Sequence, residues 1–362
     1  MEPTSFSSDY PAARARFLKA LERSGLRHEP VLQAGAAPDG SPLVTDIAML
    51  DRSPGADRTG RRLLVTISGT HGVEGFCGSA IQTAWLNAGL AARDLAQVHV
   101  HALNAYGFAH LSRPTAENVD LNRHFVDFSR PLPPNPGYDA VHAIFCPESW
   151  NDSTVKAIGA GVEAHVAQNG FAAFRSALTA GQHSHPDGLF FGGTCPTEPH
   201  RIVADHLLPL CRGFDHVAII DFHSGLGPSG FGERIVDHLP GSDGIRRCQD
   251  WFGDDWRSPH LGNSASTVLQ GQLLDWIDAR LPPGTVTALT LEFGTEPEET
   301  VIAALAADNW LRFHGDPQTD RGREIKTMLK AAFYTETDAW KHAVLTRGLE
   351  TMRAVVAGLT RL

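Results

Sequence analysis

A histidine and a glutamate three residues apart follow an apolar run early in the chain. Residues 63–68 are mostly aliphatic or β-branched, which predicts a buried strand, and the glycines after them predict a turn that leads into a helix. His71 and Glu74 lie in this turn. In a helical turn a spacing of three places both side chains on one face, about 5–6 Å apart at Cβ. Together they are two of the three ligands of a catalytic zinc site built from two histidines and one glutamate.

Two later strands end in residues that could complete such a site. His223 lies at the carboxyl end of the apolar run 216–225, and Glu292 lies near the carboxyl end of the run 286–295. In open α/β sheets, sites form outside the carboxyl ends of the strands. Taken singly, each residue has an ordinary structural interpretation, either a hydrogen-bonded histidine or a salt-bridged carboxylate. Because burial of a lone carboxylate is costly, Glu292 needs a partner or a function.

Taken as a set, these residues predict one zinc ion per chain. His71, Glu74 and His223 would be the ligands, and a fourth position would stay open for water, whose pKa falls from about 15.7 towards about 7 on zinc. Glu292 would accept the proton of that water and return it to a leaving amine. Two imidazole ligands favour zinc over magnesium.

The polar loop 112–125 contributes cations. Arg113 is a candidate to stabilise the oxyanion of a tetrahedral intermediate. Asn122 and Arg123 are candidates to bind a substrate carboxylate, since a guanidinium group matches a carboxylate in bidentate fashion. The alternative is that these arginines lie on a solvated loop.

A βαβ unit must position the first pair of ligands. Strand 63–68, a helix over 76–90 and a strand over 98–104 predict a largely parallel sheet covered on both faces. The pattern also predicts a strand at 44–50 and irregular segments at 51–60, 129–150 and 181–200. Helical patterns cover 1–30, 155–178, 202–210, 300–313 and 337–359.

Size and composition narrow the class of protein. A chain of 362 residues fits one large α/β domain, residues 1–362, with a sizeable insertion. The formal charge of −10 argues against a nucleic-acid or anionic-membrane surface. No apolar run is long enough for a transmembrane helix, and residues 1–5 do not have the pattern of a signal peptide. The cysteine number, five, is odd and no Cys-x-x-Cys occurs, which predicts reduced thiols in a cytoplasmic protein.

Five motifs, in order, give the chain its resemblance to a known family. They are His71-Gly72-Val73-Glu74, Asn104-Ala105-Tyr106-Gly107-Phe108, Asp120-Leu121-Asn122-Arg123-His124-Phe125, Asp221-Phe222-His223-Ser224-Gly225 and Leu291-Glu292-Phe293-Gly294-Thr295. Across about residues 60–310 the chain resembles the zinc carboxypeptidase A-like superfamily of metallopeptidases and their deacylase relatives. It looks closest to a bacterial branch of uncharacterised metallopeptidase-like proteins that carry His-Gly-Val-Glu-Gly.

The resemblance implies a three-layer α/β/α fold with a central mixed, largely parallel sheet. It implies zinc on His71, Glu74 and His223, with Glu292 as general base and acid. It also implies that Arg113 polarises the substrate carbonyl and that Asn122 and Arg123 bind a carboxylate.

The chain departs from the family in three ways. Peptidases of the family carry a substrate-binding tyrosine between the second zinc histidine and the catalytic glutamate, and residues 224–291 contain none. We expect the loop 255–268 to fill that space. Segment 181–200 has no clear counterpart in the digestive enzymes. Its His183 and His185 either line the pocket or form a lid, or they only make local hydrogen bonds. The signal and pro segments of secreted members are also not found.

We therefore predict a cytoplasmic zinc hydrolase that cleaves an amide bond in a small N-acyl amino acid or peptide-like substrate with a carboxylate near the scissile bond. The insertion at about 129–215 is expected to shape the pocket. The sequence does not decide whether the chain forms a homo-oligomer. Two alternatives remain: a metallocarboxypeptidase that acts on peptides or cell-wall fragments, and a non-catalytic ligand-binding relative. No nucleic-acid or membrane partner is expected.

Overall fold

A mixed seven-stranded sheet forms the centre of the computed structural model, which describes residues 3–50, 61–90 and 95–362. The predicted loop at 51–60 lies outside the described residues. The strands are β1 (Arg27–Ala36), β2 (Pro42–Leu50), β3 (Arg62–Ser68), β4 (Ala96–His101), β5 (His216–Ser229), β6 (Gly232–Ile235) and β7 (Val286–Gly294). Their spatial order is β1-β2-β4-β3-β5-β7-β6.

The pairing pattern confirms the prediction of a mixed sheet. The four central strands, β4, β3, β5 and β7, run parallel to one another. The outer pairs β1–β2, β2–β4 and β6–β7 are antiparallel. Parallel pairing is thus confined to the centre of the sheet, where the carboxyl ends of β3, β5 and β7 lie side by side.

Helices cover both faces of the sheet and the carboxyl ends of its strands. They are α1 (Tyr10–Ser24), α2 (Gly75–Asn87), α3 (Ala105–Ala109), α4 (Tyr138–Phe145), α5 (Asp152–Asn169), α6 (Phe171–Thr179), α7 (Glu198–Ile202), α8 (Leu208–Cys211), α9 (Asp243–Phe252), α10 (Leu273–Asp278), α11 (Glu298–His314), α12 (Asp320–Phe333) and α13 (Asp338–Thr360). A π turn, Val203–Leu207, joins α7 to α8. None of the described helices is long and apolar enough to cross a bilayer.

Alternation along β3 divides the core into two layers. Leu63, Val65 and Ile67 pack in a cluster that includes residues of α8 and α10. Leu64 packs in the opposite cluster, which includes residues of α2, α9 and α13. Because side chains alternate across a strand, one short apolar run serves both faces, and the predicted β3-α2-β4 unit is confirmed.

A third cluster lies beyond the strand ends. Residues of α4, α6, α11 and α12 form one hydrophobic cluster with Val73, the residue next to Glu74. Part of the segment 129–215 therefore shares a core with the turn that carries the first pair of candidate ligands.

Three predictions of local structure were wrong. The helix in residues 1–30 ends at Ser24, where Gly25 adopts φ 72°, and strand β1 follows. The proline-rich segment 129–150 contains α4. The single helix expected at 155–178 is two helices, α5 and α6, because Gly170 adopts φ 83° and breaks it.

Candidate active site

Three parallel strands bring the candidate residues to one edge of the sheet. His223 on β5 pairs in register with Glu292 on β7. On the other side of β5, Phe222 pairs with Ser68, the last residue of β3, so the turn that carries His71 lies next to His223. The topology of the sheet thus unites residues that are far apart in sequence.

His71, Glu74 and His223 form one buried cluster. One potential ligand atom from each lies within 4.8 Å of the other two. The Nδ1 atoms of the two histidines are 3.1 Å apart. Glu74 lies between them, with Oε1 3.0 Å from Nδ1 of His71 and Oε2 2.9 Å from Nδ1 of His223.

Two aspartates orient the histidine rings from behind. Nε2 of His71 is 2.9 Å from Oδ1 of Asp120, and Nε2 of His223 is 2.7 Å from Oδ2 of Asp221. Asp221 also accepts a hydrogen bond from the Thr70 hydroxyl at 2.8 Å. With Nε2–H donated to a carboxylate, each ring turns the lone pair of Nδ1 towards the cluster.

This donor set fits zinc. Histidine ligands of metals generally donate their second ring N–H to a carboxylate or carbonyl, which is the arrangement at both rings here. Two imidazole nitrogens and one carboxylate are also the donor types that zinc takes in catalytic sites. Burial by itself lowers the pKa of His223, but Asp221 and Glu74 outweigh burial and raise this pKa well above its ordinary value. The cluster therefore attracts positive charge.

Gly72 and Gly107 allow the turn that carries His71 and Glu74 to lie directly against the segment that contains Gly107. A Cβ atom added to Gly72 would lie 2.0 Å from the carbonyl carbon of Gly107, a distance that no side chain tolerates. The N–H of Gly72 donates to the carbonyl of Arg113 at 3.1 Å, and the Asn104 side chain donates to the same carbonyl at 3.2 Å. The turn that holds His71 and Glu74 is therefore attached directly to the Arg113 backbone.

The Arg113 side chain lies in the cluster rather than on a solvated loop. Its Nη1 donates to Glu74 at 2.5 Å and its Nε donates to Asp120 at 3.0 Å. Its Nη2 is also 3.1 Å from Nε2 of His71, but a nitrogen that donates to Asp120 cannot accept a second hydrogen. Arg113 thus lines the pocket with its guanidinium held by two carboxylates.

Glu292 is buried at the wall of the same pocket. Its Oε1 accepts a hydrogen bond from the Leu226 N–H at 3.1 Å. Burial and the negative charge of Glu74 raise the pKa of Glu292 to about 8. A bound cation acts in the opposite direction, because it favours the ionised carboxylate.

Asn122 and Arg123 also line the pocket. The Arg123 guanidinium is anchored by two backbone acceptors, since Nε donates to the Thr179 carbonyl at 2.7 Å and Nη1 to the Asn122 carbonyl at 2.9 Å. Burial lowers the pKa of Arg123 to about 10, which leaves it charged near neutral pH. Oδ1 of Asn122 accepts from the Leu273 N–H at 3.2 Å.

The loop 255–268 and the segment 181–200 also reach the pocket, the second of them through Phe190. Pro259, Ser266 and Thr267, from the loop expected to fill the space of the family tyrosine, line the pocket. His183 and His185 form local hydrogen bonds, to the Gly193 carbonyl at 2.6 Å and to Ser184 at 2.9 Å.

Sequence reasoning assigned no role to Asp120, Asp221 or Phe190. The two aspartates belong to the sequence motifs named above. They could have been found from the rule that a metal-binding histidine has a carboxylate or carbonyl partner for its second ring nitrogen. Asp221 precedes His223 by two residues on one strand, so both side chains share a face. Phe190 has no signal of this kind in the sequence.

The fold and the cluster define a mixed α/β/α protein with a candidate catalytic metal centre at the carboxyl ends of three parallel strands. Residues 6–347 match a family model described as "Protein of unknown function (DUF2817)", so the chain belongs to this family. A search of curated proteins gave no match.

Similar solved structures include three with distant sequences. Carboxypeptidase A from Helicoverpa armigera is 12% identical, with a TM-score of 0.48 over 91% of this chain and 74% of that one. Bovine thrombin-activatable fibrinolysis inhibitor, in complex with tick carboxypeptidase inhibitor, is 10% identical, with a TM-score of 0.44 over 94% and 98%. The product-bound ectoine utilization protein EutE from Ruegeria pomeroyi is 16% identical, with a TM-score of 0.37 over 80% and 67%.

Because all three TM-scores are below 0.5, we base the function on the site of this chain.

Proposed function

We propose that this protein is a zinc-dependent hydrolase of an amide bond in a small N-acyl amino acid or peptide-like substrate that carries a carboxylate near the scissile bond. The observation that carries the proposal is the convergence of His71, Glu74 and His223, with both histidines oriented by aspartates and Glu292 at the same pocket.

The residues divide the chemistry among them. His71, Glu74 and His223 would hold zinc, which supplies Lewis acidity that activates water near neutral pH and polarises a carbonyl oxygen. Glu292 accepts the proton of the attacking water and delivers it to the leaving amine. Its hydrogen bond to the Leu226 N–H fixes the carboxylate for both transfers.

The arginines account for the anionic parts of the substrate. Arg113 stabilises the oxyanion that develops on the carbonyl, and its two carboxylate partners hold the guanidinium against the pocket wall. Arg123, supported by Asn122, binds the free carboxylate of the substrate in bidentate fashion. Its two backbone anchors restrict the orientation of the fork before the substrate arrives.

Metal analysis tests the centre directly. We expect about one zinc per chain in the purified protein and none in the His71→Ala variant. The exposed His314 provides a control, and His314→Ala should keep the metal. Full zinc retention in His71→Ala would contradict the assignment of the ligand set.

A substrate panel tests the reaction. N-acyl amino acids should be hydrolysed in preference to short peptides and cell-wall fragments, and the corresponding carboxamides should be poor substrates. Preference for peptides would favour the alternative of a metallocarboxypeptidase. Binding without turnover across the panel would favour a ligand-binding protein. Localisation in the cytoplasm and self-association stay predictions.

A further inference from the structure

Phe190 has an unusual backbone conformation for a bulky residue. Its φ is 54°, in the left-handed region that residues other than glycine seldom adopt. Such conformations persist only where the surrounding structure enforces them, and they concentrate at functional sites. Phe190 belongs to segment 181–200, to which the proposed function gives no role.

Hydrogen bonds hold the segment around Phe190 in place. The buried Gln182 side chain accepts from the N–H groups of Ser184 and His185, and its Nε2 donates to the His185 carbonyl at 2.7 Å. On the other side of Phe190, the Phe191 carbonyl accepts from the N–H of Asp120 at 2.8 Å. The position of the Phe190 ring is therefore tied to the residue that orients His71.

The ring of Phe190 contacts two arginines of the site. The guanidinium carbon of Arg113 lies 5.6 Å from the ring centroid and that of Arg123 lies 5.4 Å from it. Both distances are within the range of cation–π attraction. Phe190 also lines both the main pocket and a smaller cavity, so it contributes to the walls of both.

Two like charges lie near one ring, and they differ in their other partners: Arg113 donates to two carboxylates, whereas Arg123 donates to two backbone carbonyls. The two guanidinium carbons can be no more than about 11 Å apart, given their distances from the shared centroid, and their charges repel. The negative face of an aromatic ring attracts both cations without competing, as a carboxylate would, for the anion that the arginines are to bind.

We propose that Phe190 is a positioning residue that holds Arg113 and Arg123 together as one anion-binding pair. This inference rests on the proposed function for the roles of the two arginines. An aliphatic residue at this position fills space but has no ring face, so it loosens both guanidinium groups and weakens carboxylate binding. A tyrosine keeps the ring face and the contact.

Acetate binding measured by NMR tests the proposal without turnover. The 362-residue protein, supplied with zinc, is labelled with 15N-arginine, and the Nε–H signal of Arg123 is followed as acetate is added. Arg123→Gln identifies the signal. We expect Phe190→Leu to raise the acetate Kd roughly ten-fold, a value within the strength of cation–π contacts. Phe190→Tyr should stay within about two-fold of the wild type.

Phe191→Leu is the matched control, because Phe191 is the neighbouring phenylalanine and packs in the core instead. It should bind acetate as the wild type does, even if it unfolds at a lower temperature. The proposal is overturned if Phe190→Leu binds acetate normally, if Phe190→Tyr is impaired as much as Phe190→Leu, or if acetate leaves the wild-type Arg123 signal unchanged.

Turnover separates this inference from the proposed function. If the wild type hydrolyses an N-acyl amino acid, Phe190→Leu should raise KM for the acid more than for its carboxamide, a difference that general loss of structure does not produce. If no N-acyl amino acid is hydrolysed but the acetate series behaves as expected, the proposed reaction fails and the role of Phe190 stands.

Discussion

Replacement of Glu292 by glutamine removes a proton acceptor while changing little else. The two side chains have nearly the same size, and the amide oxygen of glutamine can still accept the Leu226 N–H, which lies 3.1 Å from Oε1 of Glu292. The ligand set of His71, Glu74 and His223 is untouched. We therefore expect Glu292→Gln to fold and to keep its zinc.

The expected loss lies in kcat. A positioned acid–base group contributes about 10²–10⁴-fold to rate, which corresponds to roughly 2.7–5.4 kcal/mol of transition-state stabilisation. Because Glu292 would serve two transfers, to and from the same carboxylate, we expect a fall near the upper end of this range. KM for the acid should change little, since Arg123 and Asn122 remain.

The assay combines zinc content, thermal unfolding and steady-state kinetics on the best N-acyl amino acid. Glu233→Gln is the control, because Glu233 is a buried glutamate on β6 that pairs in register with Glu292. Its Oε1 accepts from the Ser264 hydroxyl and the Ala265 N–H, bonds that glutamine retains. A Glu292→Gln enzyme with normal zinc and less than a ten-fold fall in kcat would refute the assigned role.

Three further predictions follow from other parts of the structure. Asp221→Asn should weaken zinc binding about 10–100-fold in competition with a chelator, because Asp221 orients His223; unchanged affinity would show that this contact is dispensable. Arg123→Gln should raise KM for the acid about 10–100-fold and spare its carboxamide, whereas equal effects on both would exclude a carboxylate contact. Burial lowers the pKa of His99 from its ordinary 6.5 to about 4. Between these pH values the unfolded chain therefore binds more protons than the folded one. The free energy of unfolding of the zinc-free protein should fall by up to roughly 3 kcal/mol as the pH drops from 6.5 to 4. The urea midpoint of His99→Gln should depend less on pH over that window, and an identical dependence would contradict this.

The clustering of the candidate site residues could be predicted from the sequence because strong local patterns place them. His71 and Glu74, His223 and Glu292 each follow or end an apolar run, and parallel strands deliver their carboxyl ends to one edge. The order of the strands in the sheet, which makes those ends adjacent, came from the structure, because no single run specifies its neighbours.

Other features were not predictable for physical reasons. Strand β1 is largely exposed at the sheet edge, so it lacks the apolar alternation that marks a half-buried strand. Helix α4 begins soon after a run of prolines that suggested irregular structure. The conformation of Phe190 is imposed by tertiary hydrogen bonds, and a phenylalanine gives no indication of positive φ.

The contact between Gly72 and Gly107 determines how substitutions can accumulate in this protein. The two glycines lie in separate segments, yet neither segment can shift unless the other moves too. In a library of random variants screened for activity, Gly72 should tolerate almost nothing, although it has no side chain to take part in the chemistry. Improved variants should carry their changes in the outer helices, where the core can adjust without disturbing this junction.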